Sequence, residues 1–62
     1  MTIDILRNAC TSLYKLTGKV AEVEALLLNE MLTGRIEDYT ILDPRTVAVK
    51  INHFNNFYVF PL

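Results

Sequence analysis

Cysteine and histidine occur once each in these 62 residues, tryptophan not at all, and glycine and proline twice each. A lone Cys10 cannot close an internal disulfide, and together with His53 it offers two ligands where structural zinc takes four. The two usual staples of a very small domain are therefore missing. With glycine only at positions 18 and 34, a glycine-rich phosphate loop is excluded, and no nucleophile elbow, metal-ligand cluster or domain-scale repeat is present. Catalysis is not expected of this chain, and no cofactor or metal is implied.

Charge of one sign is missing as well. Six Lys and Arg stand against seven Asp and Glu, divided as three against four over residues 1–34 and three against three over residues 35–62. Nucleic-acid binders carry a basic stripe, so that class is not expected. The longest aliphatic run is Ala25 to Leu28, far short of the roughly 20 residues that span a bilayer. There is no charged-then-apolar leader and no Asn-x-Ser/Thr acceptor. With a single cysteine, the simplest expectation is a protein away from membranes in a reducing, cytoplasmic compartment.

What the chain does have is apolar residues, 52% of the total, at or above the top of the ordinary globular range. A single domain of this length buries only about 60% of the surface its unfolded chain exposes. Some of the apolar excess is therefore expected at an interface, and with staples absent, self-association is the expected supplement to the core.

The first half carries a ladder, Leu6, Ala9, Leu13, Leu16, Val20, Val23 and Leu27, spaced three then four throughout, which is the seam of a packed helix. Thr2 suits the N-cap, Asp4 the first turn and Gly34 the left-handed stop, so the helical region is expected over about residues 3–33. Two readings of its middle are open. Leu16, Thr17, Gly18 and Lys19 resemble Leu32, Thr33, Gly34 and Arg35 sixteen residues on, so a stop at the second copy implies an αα-hairpin turning at the first. Against that, the ladder keeps phase across Gly18, and an interior glycine costs only about 1 kcal/mol. On that ground one continuous helix is the preferred expectation. Such a helix would be about 46 Å long, beyond the reach of a small sheet, and would assemble with a second copy through Leu6, Leu13, Leu16, Val20, Val23 and Leu27. The last turns add Leu26, Leu28, Met31 and Leu32, where the sheet is expected to dock. Glu30, next on the ladder, would fix the register of the seam.

From Asp38 the pattern turns to strands. Asp43, Pro44, Arg45 and Thr46 fit a type I turn between two strands. Val47, Val49 and Ile51 alternate with Ala48, Lys50 and Asn52 over a strand of about residues 46–53. Asn55 and Asn56 then suit a two-residue hairpin, which would set His53 opposite Tyr58, Ile51 opposite Phe60 and Phe54 beside Phe57. The expected fold is thus a single α+β domain over 1–62, a helical oligomerisation arm (1–34) followed by a three-stranded antiparallel β-meander (35–62).

Few residues suggest chemistry. His53 titrates nearest neutrality but has no orienting carboxylate or nucleophile at a recognisable spacing. Cys10 reads as a small buried hydrophobe, and Glu22 and Glu24 as solvated helix surface. The one recognition-like mixture is Tyr39, Arg45, Lys50, His53, Phe54, Phe57 and Tyr58, with acids interleaved. The expected function is stoichiometric binding to another macromolecule, most simply a protein, as a regulator, inhibitor or assembly factor of the sort small phage and mobile-element proteins provide. Two other classes remain open. One is an oligomer that sequesters a small ligand or nucleotide between subunits, using Arg45, Lys50, His53 and Tyr58. The other is a weak nucleic-acid module built on the sheet.

Overall fold

At Gly18 the chain doubles back. The computed structural model describes residues 3–51 and 56–62, and its helical half consists of α1 (Ile3–Thr17) and α2 (Val20–Leu32). The αα-hairpin is the observed form, and the preferred continuous helix is not. Gly18 has φ of +66°, a conformation that residues with a Cβ adopt only at a cost. Its N–H donates to the Tyr14 carbonyl at 2.7 Å, the single closing bond of a left-handed helix cap. Thr17 supports this stop from both sides. Its Oγ1 donates to the Leu13 carbonyl at 2.9 Å and accepts from the Lys19 N–H at 3.3 Å.

The second copy of the motif works in the same way. Gly34 has φ of +80°; its N–H donates to the Met31 carbonyl at 3.1 Å and the Arg35 N–H to the Glu30 carbonyl at 2.9 Å. These are the paired bonds of a Schellman motif. Thr33 repeats Thr17, its Oγ1 reaching the Asn29 carbonyl at 2.9 Å. Phase across Gly18 was an unreliable guide for a simple reason. The link between the helices is two residues, so Leu16 and Val20 remain four apart whether the chain turns or runs on.

The sheet contains β1 (Asp38–Asp43), β2 (Thr46–Lys50) and β3 (Tyr58–Pro61), all antiparallel in the order β1-β2-β3. The first turn falls where Asp43 and Pro44 place it, with the Asp43 carboxylate accepting from the Arg45 N–H at 2.8 Å. Among the described residues no residue other than glycine has positive φ, so the two-residue loop is not the primed type that matches strand twist. A register shift between Ile41 and Asp43 accommodates the mismatch.

The second hairpin differs from expectation. Tyr58 pairs with Val49 and Phe60 with Val47, rather than with His53 and Ile51, so the register has slid by four residues. An even slide keeps every side chain on its expected face. The slide also lets β3 lie along β2 from Thr46 to Val49. Phe60 is thereby buried beside Val47, and the Leu62 N–H donates to the Arg45 carbonyl at 2.7 Å beyond the strand end. The tight turn expected at Asn55 and Asn56 is incompatible with this register. Asn55, like Thr2, the expected N-cap, lies outside the described residues.

Both helices pack on the face of the sheet that presents Val47, Val49 and Phe60, and Leu6, Cys10, Val23, Leu27 and Ile36 complete the core. α1 reaches β3, α2 reaches β1, and the helices meet each other. The longest extent of the molecule is 31 Å, which a helix of about 46 Å would overrun. Ala48 points to the other face yet is also buried, because it is small and lies between Thr40 and Val59 on the neighbouring strands.

Adding a Cβ at Gly18 or Gly34 would meet nothing within 4 Å, so substitution there strains the backbone alone. Gly18→Ala and Gly34→Ala should each lower stability by about 1–2 kcal/mol, read from urea unfolding midpoints. Gly18→Asn should cost less than Gly18→Ala, because asparagine tolerates the left-handed region better.

Candidate interaction surfaces

The expected seam does not present one outward face. Leu6, Val23 and Leu27 lie in the chain's own core, Leu13 and Val20 are half-buried, and Leu16 is 84% exposed. On α1 the buried line passes through Cys10 rather than Ala9, since α1 must face both α2 and the sheet.

A second ladder points outward from α2. Ala21, Ala25, Leu28 and Leu32 are exposed, Leu28 by 42% and Leu32 by 76%, and their spacing of four, three and four repeats the seam pattern. At about 100° per residue, Ala25 stands about 200° from both Val23 and Leu27, opposite the buried face. The sheet was expected to cover this end of the helix. It takes only part of it, since Leu26 and Met31 border the core while Leu28 and Leu32 do not. α1 shows the same spacing among its exposed residues, Ile5, Ala9, Ser12 and Leu16, broken by the polar Ser12.

The expected recognition residues divide into separate groups. Tyr39, Val49 and Tyr58 form one cross-strand row on the helix side of the sheet. The Tyr39 pKa is raised by burial and then by the adjacent Glu24 carboxylate, to which its hydroxyl is hydrogen-bonded. Phe57, Tyr58 and Val59 are exposed by 43 to 59% along the β3 edge, with Tyr58 on the helix side and Val59 on the other. Lys50 faces the opposite side and pairs with Glu37 at 3.6 Å. Arg45 sits at the far end of β2, in the β1–β2 turn. Arg45, Lys50 and Tyr58 are thus not brought together within one chain. His53 and Phe54 lie outside the described residues.

Arg45 occupies a setting that its sequence neighbours do not reveal. Its guanidinium stands 5.9 Å from the centroid of the Tyr14 ring, within cation–π range. Thr11, Tyr14 and Lys15 of α1, Gly18, Arg45 and Leu62 line an open groove of about 430 Å³. Tyr14 and Arg45 are thirty-one positions apart, with no shared period to link them in the sequence.

Glu30 lies in the chain's own interior, on the side of α2 that faces Cys10 of α1. It is 7% exposed, its carbonyl accepts from Arg35 and from Ile36, the latter at 3.3 Å, and its carboxylate lies 3.4 Å from the Arg35 guanidinium. A Schellman motif usually brings an apolar pair together at these two positions; here an ion pair takes its place. Glu30 also acts on Cys10, whose pKa rises from 9.0 to about 11 through burial first and the Glu30 charge second. A thiol held protonated in this way is a poor nucleophile. Among the described residues no group of three or more His, Cys, Asp or Glu could hold a metal ion, and no helix is long and apolar enough to cross a membrane.

The chain matches no protein-family model, no curated protein and no solved structure. Its surfaces therefore carry the functional reading alone.

Cys10 offers a direct check on the core. At pH 8 the folded thiol should resist iodoacetamide, because with a pKa about 3 units above the solution pH only about a thousandth is thiolate, and it should react readily once urea unfolds the chain. The folded pKa lies above the unfolded one, so this group's contribution is complete below pH 9 and declines as pH rises from about 9 towards 11. Cys10→Ala should flatten that decline in a series of unfolding curves.

Proposed function

We propose that this chain is a small, non-catalytic binding protein that pairs with a second copy of itself and acts by stoichiometric contact with another macromolecule, as a regulator, inhibitor or assembly factor. The observation that carries the reading is the outward ladder Ala21, Ala25, Leu28 and Leu32. A helix apolar on both its buried and its outer side is typical of one covered on both.

A second copy suits this face. In an antiparallel pair of α2 helices, Ala21 of one copy lies opposite Leu32 of the other, and Ala25 opposite Leu28. Small then meets large along the whole seam, in a two-fold arrangement that repeats the same contacts on both sides. Glu24 falls opposite Asn29, whereas a parallel pair would set Glu22 and Glu24 against their own copies. The sheet edges support a helical route as well. β1 has an aspartate at each end and a register shift within it, and β3 is four residues long and ends in Pro61, which are devices that discourage edge-to-edge pairing. The exposed apolar residues Phe57, Tyr58 and Val59 along the β3 edge remain as the contact surface for the other macromolecule.

The ladder from Ala21 to Leu32 is about 16 Å long, and a contact that short lies at the low end of specific interfaces, below about 1,200 Å². A weak, concentration-dependent dimer is expected. Sedimentation equilibrium over a dilution series should show masses rising from 7.1 kDa towards twice that value. Leu28→Asp should hold the chain monomeric with its circular dichroism unchanged, because Leu28 lies outside the core cluster. Leu16→Asp serves as the comparison on α1. A wild-type chain that stays monomeric at every concentration removes the proposal, and dissociation by Leu16→Asp but not by Leu28→Asp moves the interface to α1.

A further inference from the structure

The balanced charge of the sequence becomes unbalanced at the surface. Of the six cations, Arg7 is paired with Asp4 at 2.8 Å, Arg35 with Glu30 and Lys50 with Glu37. Among the described residues Lys15, Lys19 and Arg45 have no ion-pair partner. Lys15 and Arg45 both line the groove between the last turn of α1 and the β1–β2 turn.

Arg45 is fixed at three points. Its N–H donates to the Asp43 carboxylate at 2.8 Å, its carbonyl accepts from the Leu62 N–H at 2.7 Å, and its guanidinium lies over the Tyr14 ring. This ring contact leaves the guanidinium N–H donors available. A guanidinium set beside a ring, with its backbone fixed and no carboxylate on it, can make a two-point contact with an oxyanion. Lys15 supplies a second, mobile charge on the same groove. Negative charge also lies nearby. The end of α1 contributes about half a negative charge, and the Asp43 carboxylate is engaged with the Arg45 backbone.

We propose that this groove binds a compact oxyanion, a phosphate or carboxylate group, between the Arg45 guanidinium and the Lys15 ammonium. The site is complete within one chain and does not depend on self-association.

The test is a titration of the ¹⁵N-labelled full chain, first with inorganic phosphate and then with acetate. Ionic strength is held constant with sodium chloride, and the Lys15, Gly18 and Arg45 amides and the Arg45 side-chain N–H are followed. A saturable shift confined to these resonances, with Val49 unmoved, supports the site, and the anion that saturates it identifies the ligand group as phosphoryl, carboxylate or either. Arg45→Gln should weaken binding by about ten-fold or more, and Arg45→Lys, which keeps the charge but loses the fork, should weaken it by less. Shifts that never saturate, that chloride reproduces, or that persist in a folded Arg45→Gln variant overturn the proposal.

Discussion

The left-handed turn at Gly18 is the constraint on which the rest of the molecule depends. A straight helical half would expose most of its apolar length, because three short strands cannot reach along it. Folding back over two residues halves that length and places Leu6 and Cys10 beside Val23 and Leu27 above one sheet face. The sheet then has two helices to cover it, one towards each edge. The Schellman stop at Gly34 completes the arrangement by delivering Ile36 into the core immediately after α2.

Ion pairing redistributes what the composition leaves even. Glu30 and Arg35 fasten the end of α2, Glu37 and Lys50 fasten the far end of β2, and Asp4 and Arg7 lie along the first turns of α1. Two of the cations left over, Lys15 and Arg45, lie near the opposite end of the sheet, by the β1–β2 turn. An even count of charges therefore conceals a surface with local character, because carboxylates engaged in caps and pairs no longer offset their surroundings equally.

Local signals in the helical half and the first hairpin were sound guides, and the Asn-Asn turn signal and the longer-range ones were not. The turn at Asp43 and Pro44, the alternation of Val47 and Val49 and the glycine stop at residue 34 all follow from chemistry within a few residues. The repeated Leu-Thr-Gly-basic segment also marked the first stop correctly, and the phase of the ladder outweighed it wrongly. Phase measures spacing along the chain, and a two-residue turn leaves that spacing unaltered. The parity of β3 was legible from alternation, but its register was not, since burial of Phe60 beside Val47 decides it. The outer ladder of α2 could have been read from the same spacing rule applied a second time, to Ala21, Ala25, Leu28 and Leu32. The groove had no such signal, because Tyr14 and Arg45 meet only once the first helix lies across the turn of the first hairpin.

The contact between α1 and β3 joins the first element of the chain to the last. Every other pairing links elements that are consecutive or nearly so: α1 with α2, α2 with β1, β1 with β2, and β2 with β3. Such neighbours close small loops, whose entropic penalty is slight and whose formation is rapid. The terminal contact alone encloses almost the whole chain. It joins the helical hairpin and the meander, because Leu6 and Phe60 share one interior.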